Sequence, residues 1–422
     1  MYTEDEFSIF DFASCISESI DLVSPYFYNH HKKVAYFSYH IALQMGLPDD
    51  MISDIVLAAV LHDIGALSTE QRMKIITAHF NENAGDPHSY LGYLLLKGFE
   101  PLKNAAKIIK NHHAPYSKTK EDDLPIGCYV VHLADRIAVV LDDTIGVLDQ
   151  VSTIMGEVEK NNNMFHPDTL KALDTLKDYE YFWVGACTLQ IDFSFPERMR
   201  SQRKIIEIKT LRSFAKLVAN LIDYRSRFTS THSSGVAAVA MELTKLSGFS
   251  ERECHMMEVA GFLHDLGKLA VSNDILEKNG ALSDEEIHEM RKHTYYTYII
   301  LNKIKGLEHI SSWAAYHHEK LNGNGYPFHV KGEDFSKLAR IMAVADIFTA
   351  ITEDRPYRVG MSEDEALKVL LNMVENGSID GKIVKLVEEN CSHINDVRAK
   401  AQQAALEEFS AIEIESVQAQ VV

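Results

Sequence analysis

The chain has 422 residues, about two to three domains' worth at ~100–200 residues each, so a single small module is excluded. Hydrophobic residues make up 46% and charged residues 24%, which is ordinary globular usage and excludes a collagen-like or low-complexity chain. With 42 Lys and Arg against 61 Asp and Glu the net charge is −19, which argues against a nucleic-acid polymer or an anionic membrane as partner. An anionic substrate must then be met by local cations or by metal.

From the N-terminus, residues 1–10 are acidic and lack the basic region of a signal peptide, and apolar runs such as residues 55–61 fall far below the ~20 residues of a spanning helix. A cytoplasmic protein with no membrane insertion is expected. Residues 161–168 read as a loop. The alternation of Leu189, Ile191, Phe193 and Phe195 with polar neighbours reads as one minor strand near a domain junction. Residues 201–221 then read as a helix entering a second half, and His232–Leu246 and residues 256–269 as amphipathic helices with three- and four-residue apolar spacing. Capping boxes Ser250-x-x-Glu253, Ser283-x-x-Glu286 and Ser362-x-x-Glu365 mark helix starts. After about Leu406 no pattern emerges. Cys15, Cys128, Cys187, Cys254 and Cys391 are an odd count without a CxxC pair, which predicts buried, reduced thiols.

The 20 histidines reveal an internal repeat. His30, His62, Asp63, Gly46 and Gly65 have counterparts in His232, His264, Asp265, Gly248 and Gly267 at a constant offset of 202. His88, His112 and His113 answer His293, His317 and His318 at an offset of 205, and Asp135 answers Asp346 at 211. The chain therefore reads as all-α, two tandem helical domains, residues 1–200 and 201–405, with a tail at 406–422.

A His-Asp pair inside an apolar segment such as Phe262-Leu263-His264-Asp265-Leu266 needs explanation, because burying such groups unpaired costs roughly 2–7 kcal/mol each. Metal coordination would supply it. The second half offers His232, His264, Asp265, His293, His317, His318 and Asp346, more donors than one four-coordinate ion uses, so two divalent ions are expected, with Asp265 as the bridge. Imidazole and carboxylate without thiolate suit iron, manganese, zinc, nickel or cobalt. Two such ions serve phosphoester hydrolysis.

Residues 201–376 resemble an HD-GYP domain, a branch of the HD metal-dependent phosphohydrolases. The match rests on His264-Asp265-x-Gly267-Lys268, on His317-His318-Glu319-x-x-Asn322-Gly323-x-Gly325-Tyr326-Pro327, and on Ala345-Asp346 leading to Asp354-Arg355-Pro356-Tyr357-Arg358. The resemblance implies an all-helical fold, an iron or manganese centre, and hydrolysis of a cyclic dinucleotide such as cyclic di-GMP or cyclic GMP-AMP. It implies that His232, His264, Asp265 and Asp346 hold one metal and Asp265, His293, His317 and His318 the other. It further implies that Lys268, Arg355 and Arg358 grip phosphate and that Tyr326 contacts substrate. Asn322 stands where the family has Asp, and Phe228 where three-metal members carry Glu, so two metals are expected.

The first half resembles the wider HD superfamily through His30, His62, Asp63, His88, His112, His113 and Asp135 alone, with His31 an alternative first ligand. Ala66 replaces Lys268, and Asp142-Asp143 follows where the Arg-Pro-Tyr-Arg run would be. This half is either a second metal site, for instance a nucleotidase removing the terminal phosphate of the linear product, or a packing and regulatory module. For the second half the competing readings are a sensor that binds a cyclic dinucleotide without turnover and a general nucleotide phosphohydrolase. A homodimer is compatible with the sequence and not required by it.

Overall fold

The computed structural model describes residues 7–22, 29–66, 87–188, 205–224, 231–355 and 358–420. The described residues are overwhelmingly helical, with one antiparallel pair of two-residue strands, Phe7–Ser8 against Ile205–Ile206. The strand expected around residues 189–195 lies outside the described residues, as does Phe228. No described helix is long and apolar enough to cross a membrane.

Two compact units are present, one formed by Met1–Asp11 with Ile205–Glu415, the other by Phe12–Lys204 with Ser416–Val422. In the second of these, helix His30–Gln44 packs against Asp49–Leu61 and against Ile126–Val140. In the first, His232–Leu246 packs in the same way against Glu251–Leu263 and Lys337–Thr352. The bounds of His30–Gln44 and Asp49–Leu61 differ from those of His232–Leu246 and Glu251–Leu263 by the same 202 residues that separate the histidines, so the repeat read from polar residues is a repeat of backbone. Burial explains why these segments are helices: Val34, Phe37 and Ile41, and likewise Val236, Val239 and Leu243, follow three- and four-residue spacing and are fully buried. All three capping boxes form.

Three boundaries differ from the sequence reading. The helix expected from residue 201 begins at Ile208, because Ile205 and Ile206 are taken by the strand pair. Residues 161–168 contain a short 3-10 turn, Asn162–Met164, and the next helix already starts at Pro167. The uninterpreted tail belongs to a long helix, Cys391–Gln420.

Candidate metal centres

In the C-terminal unit the donors come from five places that helix packing brings together. His232 opens its helix and Asp346 sits inside Lys337–Thr352. His264 caps Glu251–Leu263, and the chain then turns at Asp265 into a 3-10 segment, Leu266–Ala270. The His-Asp pair is thus at a helix end, not inside a helix as the sequence suggested. The reason is Gly267: a Cβ there would lie 1.9 Å from the His293 carbonyl oxygen, so the turn presses onto the Asp284–Leu301 helix where only glycine fits. Thr297 locks the contact, its hydroxyl donating to the His264 carbonyl at 3.0 Å and accepting from the Gly267 amide at 2.9 Å. His317 and His318 stand in a 3-10 turn, Tyr316–His318.

Local hydrogen bonds set the ring orientations. Nδ1 of His264, His293 and His317 lies 2.7, 2.6 and 2.6 Å from the carbonyl oxygens of Gly261, Met290 and Ala314, so Nδ1 is the protonated nitrogen and Nε2 carries a lone pair. Those lone pairs converge. His293 Nε2 and His317 Nε2 are 3.2 Å apart, an arrangement of two bare acceptors that repels unless a cation lies between them. Asp265 faces both sides, Oδ2 being 3.2 Å from His264 Nε2 and Oδ1 3.5 Å from His293 Nε2. His232 Nε2 is 3.2 Å from Asp346 Oδ1. The donor atoms of His232, His264 and Asp346, of His264, Asp265 and His317, and of His293, His317 and His318 each lie within 4.8 Å of one another, so the residues present fit a metal centre. His318, 35% exposed, is the opening to solvent.

The electrostatics agree with that fit. Burial pushes the pKa of His293 down to about 3 and also lowers His317 and His318, which keeps their lone pairs available. Burial opposes ionisation of Asp265, yet His264 and Lys268 hold it well below the usual carboxylate range. Burial likewise opposes a charge on His232, but Glu353 and Asp346 outweigh it and raise its pKa to about 10; an ion bound there would release that proton.

Several residues that the sequence left unmarked shape the site. Glu353 accepts from His232 Nδ1 at 3.1 Å, takes two contacts from Arg355 at 2.6 and 2.9 Å, and accepts from the Gln402 amide at 2.9 Å. The usual partner of a ligating imidazole is such a carboxylate, and its loss typically costs 10–100-fold in metal affinity. Glu353→Ala is expected to weaken metal binding by about that factor while all seven donors remain, as read by metal titration of the stripped protein. Glu319 is buried and receives the backbone amides of Phe328 at 2.7 Å and Val330 at 3.1 Å, which folds the Gly-Tyr-Pro loop back toward His318. Tyr326 thereby lies with its ring 5.0 Å from that of His318.

The expected phosphate-gripping cations are placed unequally. Lys268 Nζ is 2.6 Å from Asp265 Oδ2, inside the centre. Arg355 reaches Glu353, and Arg358 bonds the Ala350 carbonyl, with the two arginines paired backbone to backbone at 2.8 and 2.9 Å. Pro356 and Tyr357 lie outside the described residues. Asn322 points away from the centre, its amide 3.3 Å from the Asn376 carbonyl oxygen, so it anchors a loop.

The N-terminal unit repeats the geometry. His30 Nε2 is 3.3 Å from Asp135 Oδ1, His62 Nε2 3.2 Å from Asp63 Oδ2, and His88 Nε2 3.2 Å from Asp63 Oδ1. Donor atoms of Asp63, His88, His112 and His113 lie within 4.8 Å of one another, and so do those of His30, His62 and Asp63. Among the described residues, the buried atoms His30 Nε2, His62 Nε2, Asp63 Oδ1, His113 Nε2 and Asp135 Oδ1 make no hydrogen bond of proper geometry although several lie close together, a set whose burial is costly unless a cation joins them. These residues also fit metal. Gly65 repeats the role of Gly267, a Cβ there lying 2.1 Å from the His88 carbonyl oxygen.

One further match appears only in three dimensions. Buried Asp21 holds His31 Nδ1 at 2.5 Å, as buried Asp223 holds the Ser233 hydroxyl at 2.9 Å, again at an offset of 202. Burial pushes Asp223 up to about 7. His31 is therefore tied to Asp21, and His30 joins the donor set. A cation that the sequence reading did not mark stands beside this centre: buried Arg136, where the other unit has Ile347, places Nε 3.2 Å from Asp135 Oδ2. Lys33 pairs with Asp143 at 2.5 Å.

Comparison with known proteins follows the same division. A model of the HD domain family matches residues 27–139, and a second HD domain model matches residues 216–383. The chain is 27% identical over 392 residues to the 3'3'-cGAMP-specific phosphodiesterase 1 of Vibrio cholerae, covering 89% of this chain and 90% of that protein. It is 39% identical over 150 residues to the 3'3'-cGAMP-specific phosphodiesterase 3 of the same organism and 33% identical over 179 residues to the cyclic di-GMP phosphodiesterase response regulator RpfG of Xanthomonas campestris. Those matches span 33% and 47% of the two relatives' lengths. A crystal structure of a cyclic GMP-AMP specific phosphodiesterase of V. cholerae, V-cGAP3, superposes with a TM-score of 0.62 at 19% identity, covering 95% of this chain and 98% of that one, which is a likeness of fold. With two metal-ready clusters, each inside a matched HD segment, the chain is a member of the HD family carrying two HD domains, the second of the HD-GYP type.

Proposed function

We propose that the second HD domain is a metal-dependent phosphodiesterase that opens a cyclic dinucleotide, cyclic di-GMP or cyclic GMP-AMP, to a linear dinucleotide. The observation that carries this reading is the convergence of seven buried or half-buried donors on one pocket with an open side at His318. In this reading His232, His264, Asp265 and Asp346 hold one divalent ion and Asp265, His293, His317 and His318 the other, with iron or manganese favoured over zinc, nickel or cobalt. Such ions supply a nucleophile at neutral pH and Lewis-acid polarisation of the phosphoryl group. Asp265 orients both halves of the centre through its two oxygens. Lys268, held 2.6 Å from Asp265, sets a positive charge beside the substrate's phosphate. Tyr326 flanks the opening, and Arg355 and Arg358 offer bidentate forks once turned from Glu353 and Ala350. The names of the relatives agree with this substrate class. All five cysteines are free, which supports a cytoplasmic location.

The test is turnover by the full chain supplied with Mn²⁺ or Fe²⁺, following linear dinucleotide. Saturable binding with no product would make the domain a sensor instead. Lys268→Ala is expected to slow turnover by about 10–100-fold, because a charge-assisted contact contributes ~1.5–3 kcal/mol. Metal content should stay at the wild-type level; its loss would show that Lys268 holds the centre together and does not grip substrate.

A second reading concerns the first HD domain, where the five orphaned donor atoms favour a bound metal. In that reading it is a phosphomonoesterase for the terminal phosphate of the linear dinucleotide produced by the second domain.

A further inference from the structure

The mouth of the C-terminal centre carries one cation that none of the expected roles uses. Arg291 lies two residues before His293 on the Asp284–Leu301 helix and is exposed. Its guanidinium carbon sits 5.1 Å from the centre of the Tyr326 ring. Lys268, Arg355 and Arg358 already engage Asp265, Glu353 and the Ala350 carbonyl. The Arg291 guanidinium has no carboxylate or carbonyl partner among the described residues. An arginine lying over an aromatic ring is held there by cation–π attraction without spending its N–H groups on a hydrogen-bond acceptor.

Its surroundings decide what those groups meet. One helical turn on, Tyr295 is 47% exposed and faces Phe328, 38% exposed, at a ring separation of 6.0 Å. Exposed aromatic faces suit a stacked nucleobase better than a hydrated phosphate, and the phosphate's charge is already answered inside the pocket. Among bases the choice follows from hydrogen-bond polarity. The guanidinium is a donor-only fork, and guanine presents two adjacent acceptors, O6 and N7, while adenine presents N7 beside the N6 donor.

We propose that Arg291, braced by Tyr326, reads the guanine base of the cyclic dinucleotide at the mouth of the C-terminal metal centre. This inference rests on the phosphodiesterase reading above. It makes Arg291 a specificity-determining residue that contributes nothing to metal binding.

The experiment compares the wild type, Arg291→Lys and Arg291→Met as full chains with Mn²⁺, using cyclic di-GMP, cyclic GMP-AMP and cyclic di-AMP as substrates, or as competitors where one is not turned over. Both variants should keep wild-type metal content, which shows the centre intact. Arg291→Met should raise KM for the two guanine-containing compounds roughly tenfold or more and leave the constant for cyclic di-AMP unchanged, and Arg291→Lys should recover that loss only in part and only for the guanine-containing compounds, because lysine keeps a donor and loses the planar fork. An equal loss on all three compounds in Arg291→Met, restored by Arg291→Lys, would show a phosphate contact and overturn the proposal. No change on any compound would overturn it as well. A wild type that turns over none of the three would remove the phosphodiesterase reading, and the inference with it.

Discussion

Asp265→Ala should abolish cyclic-dinucleotide hydrolysis and strip the C-terminal centre of metal together. The carboxylate is shared: Oδ2 serves the side of His264 and Oδ1 the side of His293 and His317, at 3.2, 3.5 and 3.9 Å. Asp346 also reaches both sets, His232 at 3.2 Å and His318 at 3.9 Å, but only Asp265 is shared by the two ions in the proposed assignment. Its removal also leaves Lys268 without the partner that sets its pKa above the usual lysine value despite burial, so a positive charge remains where cations must bind. The loss should exceed the 10–100-fold typical of removing an outer partner such as Glu353. Metal analysis by plasma mass spectrometry beside a turnover assay measures both quantities on one sample. Asp63→Ala, at the matching position of the other unit, should leave the first cleavage largely intact. Near-normal turnover in Asp265→Ala would sink the two-ion assignment.

Phosphate release from the linear dinucleotide should depend on the opposite residue. If the orphaned donors of the N-terminal unit bind metal, Asp63→Ala breaks that centre, since Asp63 lies within 3.2 Å of both His62 and His88. Fed with linear product, wild type and Asp265→Ala should release inorganic phosphate, and Asp63→Ala should release none above background. A terminal phosphate is a smaller target than a cyclic dinucleotide, which suits a site that has Arg136 beside Asp135 and Ala66 in place of lysine. Release that survives in Asp63→Ala, or is absent from wild type with metal supplied, would leave this unit with structural metals at most.

Much of the candidate site is legible in the sequence because ligand chemistry demands particular residue types at particular intervals, and a duplication prints those intervals twice. The offset of 202 read from His30 and His232 reappears as the offset between helix bounds. What escaped the sequence acts across long separations or by leaving a helix. Glu353 meets His232 and Gln402 through tertiary packing, and neither interval resembles a motif. Asp21 and Asp223 share the offset of 202 but hold a histidine in one unit and a serine in the other, so no matching pair announces them. Arg136 hides beside a ligand, in a buried helix where an arginine reads as a misplaced surface residue. The helix through residue 420 eluded periodicity because its last turns are mostly exposed and carry no apolar stripe.

The contact between Gln402 and Glu353 has a consequence for how the centre keeps its ions. The HD-domain match ends at residue 383, yet the amide that immobilises Glu353 lies beyond it on the last helix. A chain cut at that boundary would retain every donor atom, Glu353 and its Arg355 contacts, and lose one of the bonds that hold the carboxylate behind His232. The imidazole would regain torsional freedom, and ordering it again on metal capture costs on the order of 0.5–1.5 kcal/mol, a several-fold loss in retention without the loss of a ligand. The terminal helix thus contributes to affinity by preorganisation, setting the rotational entropy of a ring 170 residues upstream of Gln402.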